Sequence, residues 1–178
     1  MNHEAHIAHE LATFRAAKDD FLRQDSRSPL THHQRHGFAG LSYYPFNPAL
    51  RLELALDKDV PVDPVILETS TGESQEYHRA GTIHFTVASE AVEATIYRGP
   101  HGDLFLPLRD ATSGDETYGA GRYLEPSMID DGRVLVDFNY LYNPNCAYNE
   151  AWSCPLPPRE NWLTAPIRAG EKTFEGEH

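Results

Sequence analysis

Between Leu41 and Asn139 the chain falls into short runs that alternate apolar and polar residues, and no helical periodicity separates them. RLELALD sets Leu52, Leu54 and Leu56 at every second position, after LSYYPF and the turn initiator Asn47-Pro48. VILETS closes at Thr71-Gly72, and EYHRAGTIHFTVAS carries Gly81 where a bulge would fit. VEATIYR ends at Gly99-Pro100, and DLFLPL and VLVDFN follow. A period of two gives each strand one face to bury, and strands recurring at this spacing must bury it against one another. The expected fold is mainly β: an antiparallel barrel or sandwich of about seven to nine strands.

Ahead of the strands, His3 to Arg23 reads as one amphipathic helix with Ile7, Leu11, Phe14 and Phe21 at helical spacing. Lys18 interrupts that stripe where another apolar residue would fit. Asn2 is placed to cap the helix, Ser28-Pro29 to end it, and Thr31 to cap a short second helix through HHQRHGF. The expected organisation is a single domain, with a helical segment over 1–37 and a β core over 38–172 that includes a long C-terminal strap. The tail TFEGEH is expected to fray.

The net charge is −12, from 15 Lys+Arg against 27 Asp+Glu. A nucleic-acid binder needs a positive face, so nucleic acid is a poor partner for this chain. No apolar run approaches the length of a membrane span, and MNHEAHIAHE has neither the basic nor the apolar region of a secretory signal. A cytoplasmic, acidic protein is expected, with a small molecule as the expected partner. His6 and Glu10 share one helical face, but an exposed polar face explains them as well as chelation does.

Directional polar side chains concentrate in two segments. Asp110 to Arg122 (DATSGDETYGAGR) carries Asp110, Glu116, Tyr118 and Arg122 among three glycines. That suits a loop whose backbone approaches a ligand, and suits a surface loop of Asx and Ser/Thr turns equally. Its GxGR is not a phosphate-loop signature, since no strand–GxxxxGK[ST]–helix surrounds it, and the cofactor stays open. In VLVDFNYLYNPN, Asp137 and Asn139 stand two apart at the end of an apolar strand. They therefore share the Leu135 side of the sheet, opposite Val134 and Val136. A carboxylate on a mostly buried face needs a partner, and Arg122 is the expected one.

Seven residues separate Cys146 from Cys154 in NPNCAYNEAWSCPLPP. That spacing is wide for zinc, which would have to recruit His78, His84 or His101 from elsewhere. A nucleophile, a disulfide and a pair of buried free thiols packed with Trp152 and Tyr148 are the other readings. Pro155 to Pro158 predicts an extended strap ahead of Trp162.

The first function these residues suggest is a small-molecule site, binding or catalytic, formed by the 110–122 and 137–161 segments. Arg122 would take an anionic or carboxyl group. Asp137 or Glu116 would act as base or orient Arg122, with Cys146 or Cys154 as nucleophile. Asn139, Asn143, Tyr118, Tyr148, Asp110 and Asn161 would line the site. The second is a non-catalytic interaction domain using Trp152, Trp162 and the proline strap. The third is a cysteine–histidine metal site.

SPL (28–30), GLSYYPFNP (40–48), DATSGDETYGAGRYLE (110–125), DFNYLYNPNCAYNEAWSCPLPPREN (137–161) and AGEK (169–172) together resemble the prokaryotic family known as domain of unknown function 1684. The resemblance runs from the N-terminal helix to AGEK and implies a bacterial or archaeal domain of this size, with no reaction attached. The family's pattern adds Thr112, Gly114, Thr117, Gly121, Tyr123, Pro144, Glu171 and Lys172 to the positions already named.

Overall fold

The computed structural model describes residues 2–176. Helix α1 (His3–Gln24) starts where expected, with the Ala5 N–H donating to Asn2 Oδ1 at 2.8 Å. It ends at Asp25, and Ser28 Oγ donates to the Leu22 carbonyl at 2.7 Å, satisfying a terminal acceptor. Helix α2 (His32–Gly37) is held by a full capping box between Thr31 and Gln34.

Eight strands follow, in two antiparallel sheets. Strands β1 (Arg51–Ala55), β8 (Arg133–Asp137) and β7 (Ser127–Asp130) form a three-stranded sheet in the order β1-β8-β7. The others are β2 (Val65–Glu68), β3 (Ser74–Val87), β4 (Glu90–Arg98), β5 (Leu104–Leu108) and β6 (Arg122–Leu124). They pair in sequence order and curl into a half-barrel. Paired hydrogen bonds between Asp57 and Thr82, at 2.9 and 2.8 Å, tie the end of β1 to β3 and so link the two sheets. The register of β3 against β4 shifts between Arg79 and Gly81, the bulge the sequence indicated. Ile83, Ile96, Leu106, Val134, Val136 and Phe138 are fully buried in the core between the sheets.

Four expectations are corrected. LSYYPF is not a strand: it makes only the Tyr43–Glu171 bridge, because its hydrogen bonds go to the C-terminal segment rather than to a ladder. Strand β8 stops at Asp137, whose carboxylate accepts the Asn139 N–H at 3.1 Å and turns the chain into a 3-10 helix, Phe138–Tyr140. On α1 the buried residues are Leu11 and Leu22, whereas Phe14 and Phe21 remain substantially exposed. The tail does not fray from Thr173: Phe174 packs edge-on against Tyr148 with centroids 5.1 Å apart. The end of that expectation, Glu177 and His178, lies outside the described residues.

Glu171 is the reason α1 carries a cation, Lys18, in its apolar stripe. Lys18 Nζ meets Glu171 Oε2 at 2.5 Å, and Glu171 is 2% exposed. Tyr148 donates to the same carboxylate. Arg15 adds hydrogen bonds to the Tyr44 and Asn139 carbonyls at 3.0 and 3.3 Å. Helix α1 is thus tied by polar contacts to Tyr44, to the turn after β8 and to the C-terminal segment.

Candidate functional site

Where the polar segments meet the rest of the molecule, they divide into separate knots. The deepest surrounds Arg122, which is completely buried. Its Nη1 donates to the Ala169 and Glu171 carbonyls at 2.5 and 3.1 Å. Its Nη2 donates to the Ile167 carbonyl at 2.8 Å and lies 3.5 Å from Asp110 Oδ2. Asp110 in turn accepts the Ile167 N–H at 2.5 Å and the Thr112 hydroxyl at 2.8 Å. Only Nε of Arg122 lacks a partner. Burial pulls the guanidinium's pKa down, and Asp110 opposes the shift. Two glycines permit the approach. A Cβ at Gly121 (φ +107°) would lie 2.4 Å from the Leu108 carbonyl, and one at Gly170 (φ +76°) 2.5 Å from that of Leu141. The knot clasps the segment 167–171 against β6.

The remaining expected site residues are occupied in the same way. Glu116 takes the Arg168 fork at 3.0 and 3.2 Å and the Tyr44 hydroxyl at 3.0 Å. Asn161 bonds the N–H and carbonyl of Thr95 and the Pro107 carbonyl, each at 2.8 Å, fastening the strap to β4 and β5. Asn143 donates to the Lys172 carbonyl at 3.0 Å, and Tyr148 is buried on Glu171. Asn139 donates to Asp137 Oδ1 and to the Asn47 carbonyl, both at 2.9 Å. Cys146 and Cys154 are buried free thiols. They sit with Tyr118, Tyr123 and Tyr77, not with Trp152 and Tyr148 as the sequence suggested.

Asp137 differs from all of these. Its arginine is Arg51, not Arg122, at 3.5 Å from Nε to Oδ2. Arg51 and Asp137 lie directly opposite each other in the β1–β8 register, while Arg122 is committed behind β6. Leu135 shares the Asp137 face, and Ser127 lies opposite Leu135 on β7. That face, with Ile7, Glu10 and Phe14 of α1 above it, bounds a groove of about 390 Å³. Leu124, Glu125, Tyr140 and Tyr142 complete it. Phe14 packs edge-on against Tyr140 at 5.0 Å, propping the helix over the sheet.

Within the groove the acids are already engaged. Asp137 is held by Arg51 and Asn139, Glu10 by His6 at 3.5 Å, and Glu125 by the Tyr142 hydroxyl. Crowding by the groove walls raises the Glu125 pKa, and the Tyr142 hydrogen bond opposes that. The terminal nitrogens of Arg51 have no hydrogen-bond partner among the described residues.

Sequence reasoning missed Arg51, Glu125, Tyr140 and Tyr142. Arg51 stood in the outward phase of RLELALD, so its exposure was legible, but its partner depended on which strand lies beside β1.

A larger cavity, about 980 Å³, is walled by α2, the 37–42 segment and Phe174–Gly176. Of the site residues expected from the sequence, only Asp137 lines either cavity. Trp152 and Trp162 are 41% and 43% exposed. Trp162 is flanked by the guanidinium groups of Arg109 and Arg159 at 4.5 and 4.8 Å. Among the described residues no group of three or more His, Cys, Asp or Glu side chains could hold a metal ion. His84 instead pairs with Glu93, and His78 with Glu76. No described helix is long and apolar enough to cross a membrane.

Among solved structures, the chain is similar to an uncharacterized protein of Haloarcula marismortui determined by NMR in solution. The two share 37% sequence identity over 92% of each chain, with a TM-score of 0.70. No curated protein matches the chain. Residues 36–172 match the family described as protein of unknown function DUF1684 and span both sheets and the strap; the chain belongs to that family.

Proposed function

We propose that this protein binds a small carboxyl-bearing molecule in the groove between α1 and the β1-β8-β7 sheet, with Arg51 as the anion-reading residue. The observation that carries this is the unused end of the Arg51 guanidinium in a cavity whose acids all have partners. Asp137 anchors Nε, so the two terminal nitrogens are presented in a fixed plane, the geometry that suits a carboxylate. Leu124, Leu135, Ile7 and Phe14 supply apolar contact, and Tyr140 and Tyr142 supply aromatic edges. The volume suits a metabolite rather than a peptide. Asp137 keeps the orienting role the sequence suggested for it, around a different arginine.

The test is a thermal-shift screen of mono- and dicarboxylate metabolites against the native protein and Arg51→Ala. A ligand at about a hundred times its Kd stabilises a native site by about 2.7 kcal/mol. The expected result is a shift in the native protein that Arg51→Ala abolishes. No shift from any carboxylate, or equal shifts in both proteins, rejects the proposal.

The half-exposed Trp152 and Trp162 support a second reading, an interaction surface on the strap. Its test is pull-down from a lysate with native protein and the double variant Trp152→Ala/Trp162→Ala. A partner captured equally by both removes this reading.

A further inference from the structure

Cys146 and Cys154 belong neither to the groove nor to the Arg122 knot. Cys146 lies in the 3-10 turn Asn145–Ala147, and Cys154 at the start of the proline strap. The Cys146 N–H points at Cys154 Sγ from 3.4 Å. Tyr118 donates its hydroxyl hydrogen to Cys146 Sγ at 3.7 Å. Cys154 is fixed from the other side, its N–H on Ser70 Oγ at 3.1 Å and its carbonyl accepting the Ser70 N–H at 2.9 Å. The Cys154 sulfur therefore lies against the Cys146 backbone, and each cysteine sits on backbone held by its own bonds. Joining the two sulfurs means closing to a bond of about 2.05 Å.

We propose that Cys146 and Cys154 form a reversible dithiol–disulfide couple that reacts with hydroperoxides, Cys146 attacking and Cys154 resolving. In the first step the Cys146 thiolate attacks one peroxide oxygen. An S–O bond forms, the O–O bond breaks, and the alkoxide or hydroxide that leaves takes up the proton Cys146 gave up. In the second step the Cys154 sulfur attacks the Cys146 sulfenic acid. The S–S bond forms, the S–O bond breaks, and hydroxide leaves with the Cys154 proton as water. Two thiols are oxidised by two electrons, and the peroxide is reduced to water and an alcohol, or to two waters. An external thiol restores the pair by exchange.

The roles follow from the hydrogen bonds. Cys146 accepts from Tyr118, and proximity to the Cys154 thiol, with Tyr118 beside it, holds its pKa down to about 6 against the effect of burial. The neighbouring Cys146 and burial raise the Cys154 pKa. Cys146 is 3% exposed and Cys154 7%, under aromatic neighbours. That enclosure admits a small peroxide more readily than a bulky thiol, so the second cysteine is the favoured resolving group.

The experiment uses the full chain, reduced, desalted and treated with graded hydrogen peroxide, then read by intact mass and peptide mapping. The expected product has lost two hydrogens, carries a Cys146–Cys154 crosslink, and returns to the starting mass with dithiothreitol. Cys154→Ser should stop at a sulfenic acid on Cys146 that dimedone captures, and Cys146→Ser should leave Cys154 a thiol. Oxygen addition without a crosslink, intermolecular dimers, or two intact thiols at a peroxide excess that oxidises the urea-unfolded chain would each overturn the proposal. If a serine variant loses its native circular dichroism, the crosslink map of the unsubstituted protein decides alone.

Discussion

Two arginine–aspartate pairs, Arg122–Asp110 and Arg51–Asp137, have the same closest separation, 3.5 Å, and different uses. The side chains of the first pair are 0% and 1% exposed, and three backbone carbonyls take the donors of both terminal nitrogens, leaving only Nε without a partner. Those of the second are 27% and 10% exposed, and the arginine keeps two nitrogens for whatever enters the groove. A buried guanidinium spends most of its donors on the protein, because an unpaired one in the interior is costly. An arginine at a groove wall is not under that obligation. Pair chemistry alone does not tell a clamp from a binding group; the number of donors left over does.

The largest expected effect breaks the buried pair. Arg122→Met leaves Asp110 and three carbonyls without their donor and should cost about 3–5 kcal/mol, read from urea unfolding. Arg122→Lys should recover little of it, since one ammonium cannot serve carbonyls on both sides of the fork. A cost below about 1 kcal/mol would mean that the knot does not hold the C-terminal segment.

Next comes Lys18→Met, which strands the buried Glu171 carboxylate with Tyr148 as its hydroxyl donor. A loss of about 2–4 kcal/mol is expected in the same measurement, with α1 the first segment to gain amide exchange.

Arg51→Met should cost only about 0–1 kcal/mol, because the pair is partly solvated. It should nevertheless remove carboxylate-induced stabilisation. A loss as large as that of Arg122→Met would make Arg51 a second clamp and erase the contrast.

The smallest effect is one of pH. The Glu125 pKa is raised in the folded protein above its ordinary value of 4.5, so the folded state holds that proton more tightly than the unfolded chain does. The stability from this group is complete below about 4.5 and lost as pH rises through the folded value. Comparing the unsubstituted protein with Glu125→Gln, the difference in unfolding free energy should therefore move against the former as pH rises from about 4 to 7. A flat difference would place Glu125 in free solvent.

Local rules were enough for most of the elements, though not for LSYYPF, which forms no strand, nor for β6 and β7. Asn2 and Thr31 set the helix starts, Leu52, Leu54 and Leu56 announced a strand, and Gly81 marked the bulge, because caps, alternation and bulges act within a few residues. They were enough, too, to put Leu135 and Asp137 on one face. Tertiary structure decided which strand lies beside which, and with it that Asp137 meets Arg51, 86 positions earlier in the chain. It also decided that Arg122 is spent on the 167–171 backbone and that the odd lysine of α1 answers Glu171. A side chain's type is written in the sequence; how many of its donors the fold consumes depends on neighbours that arrive only when the sheets close.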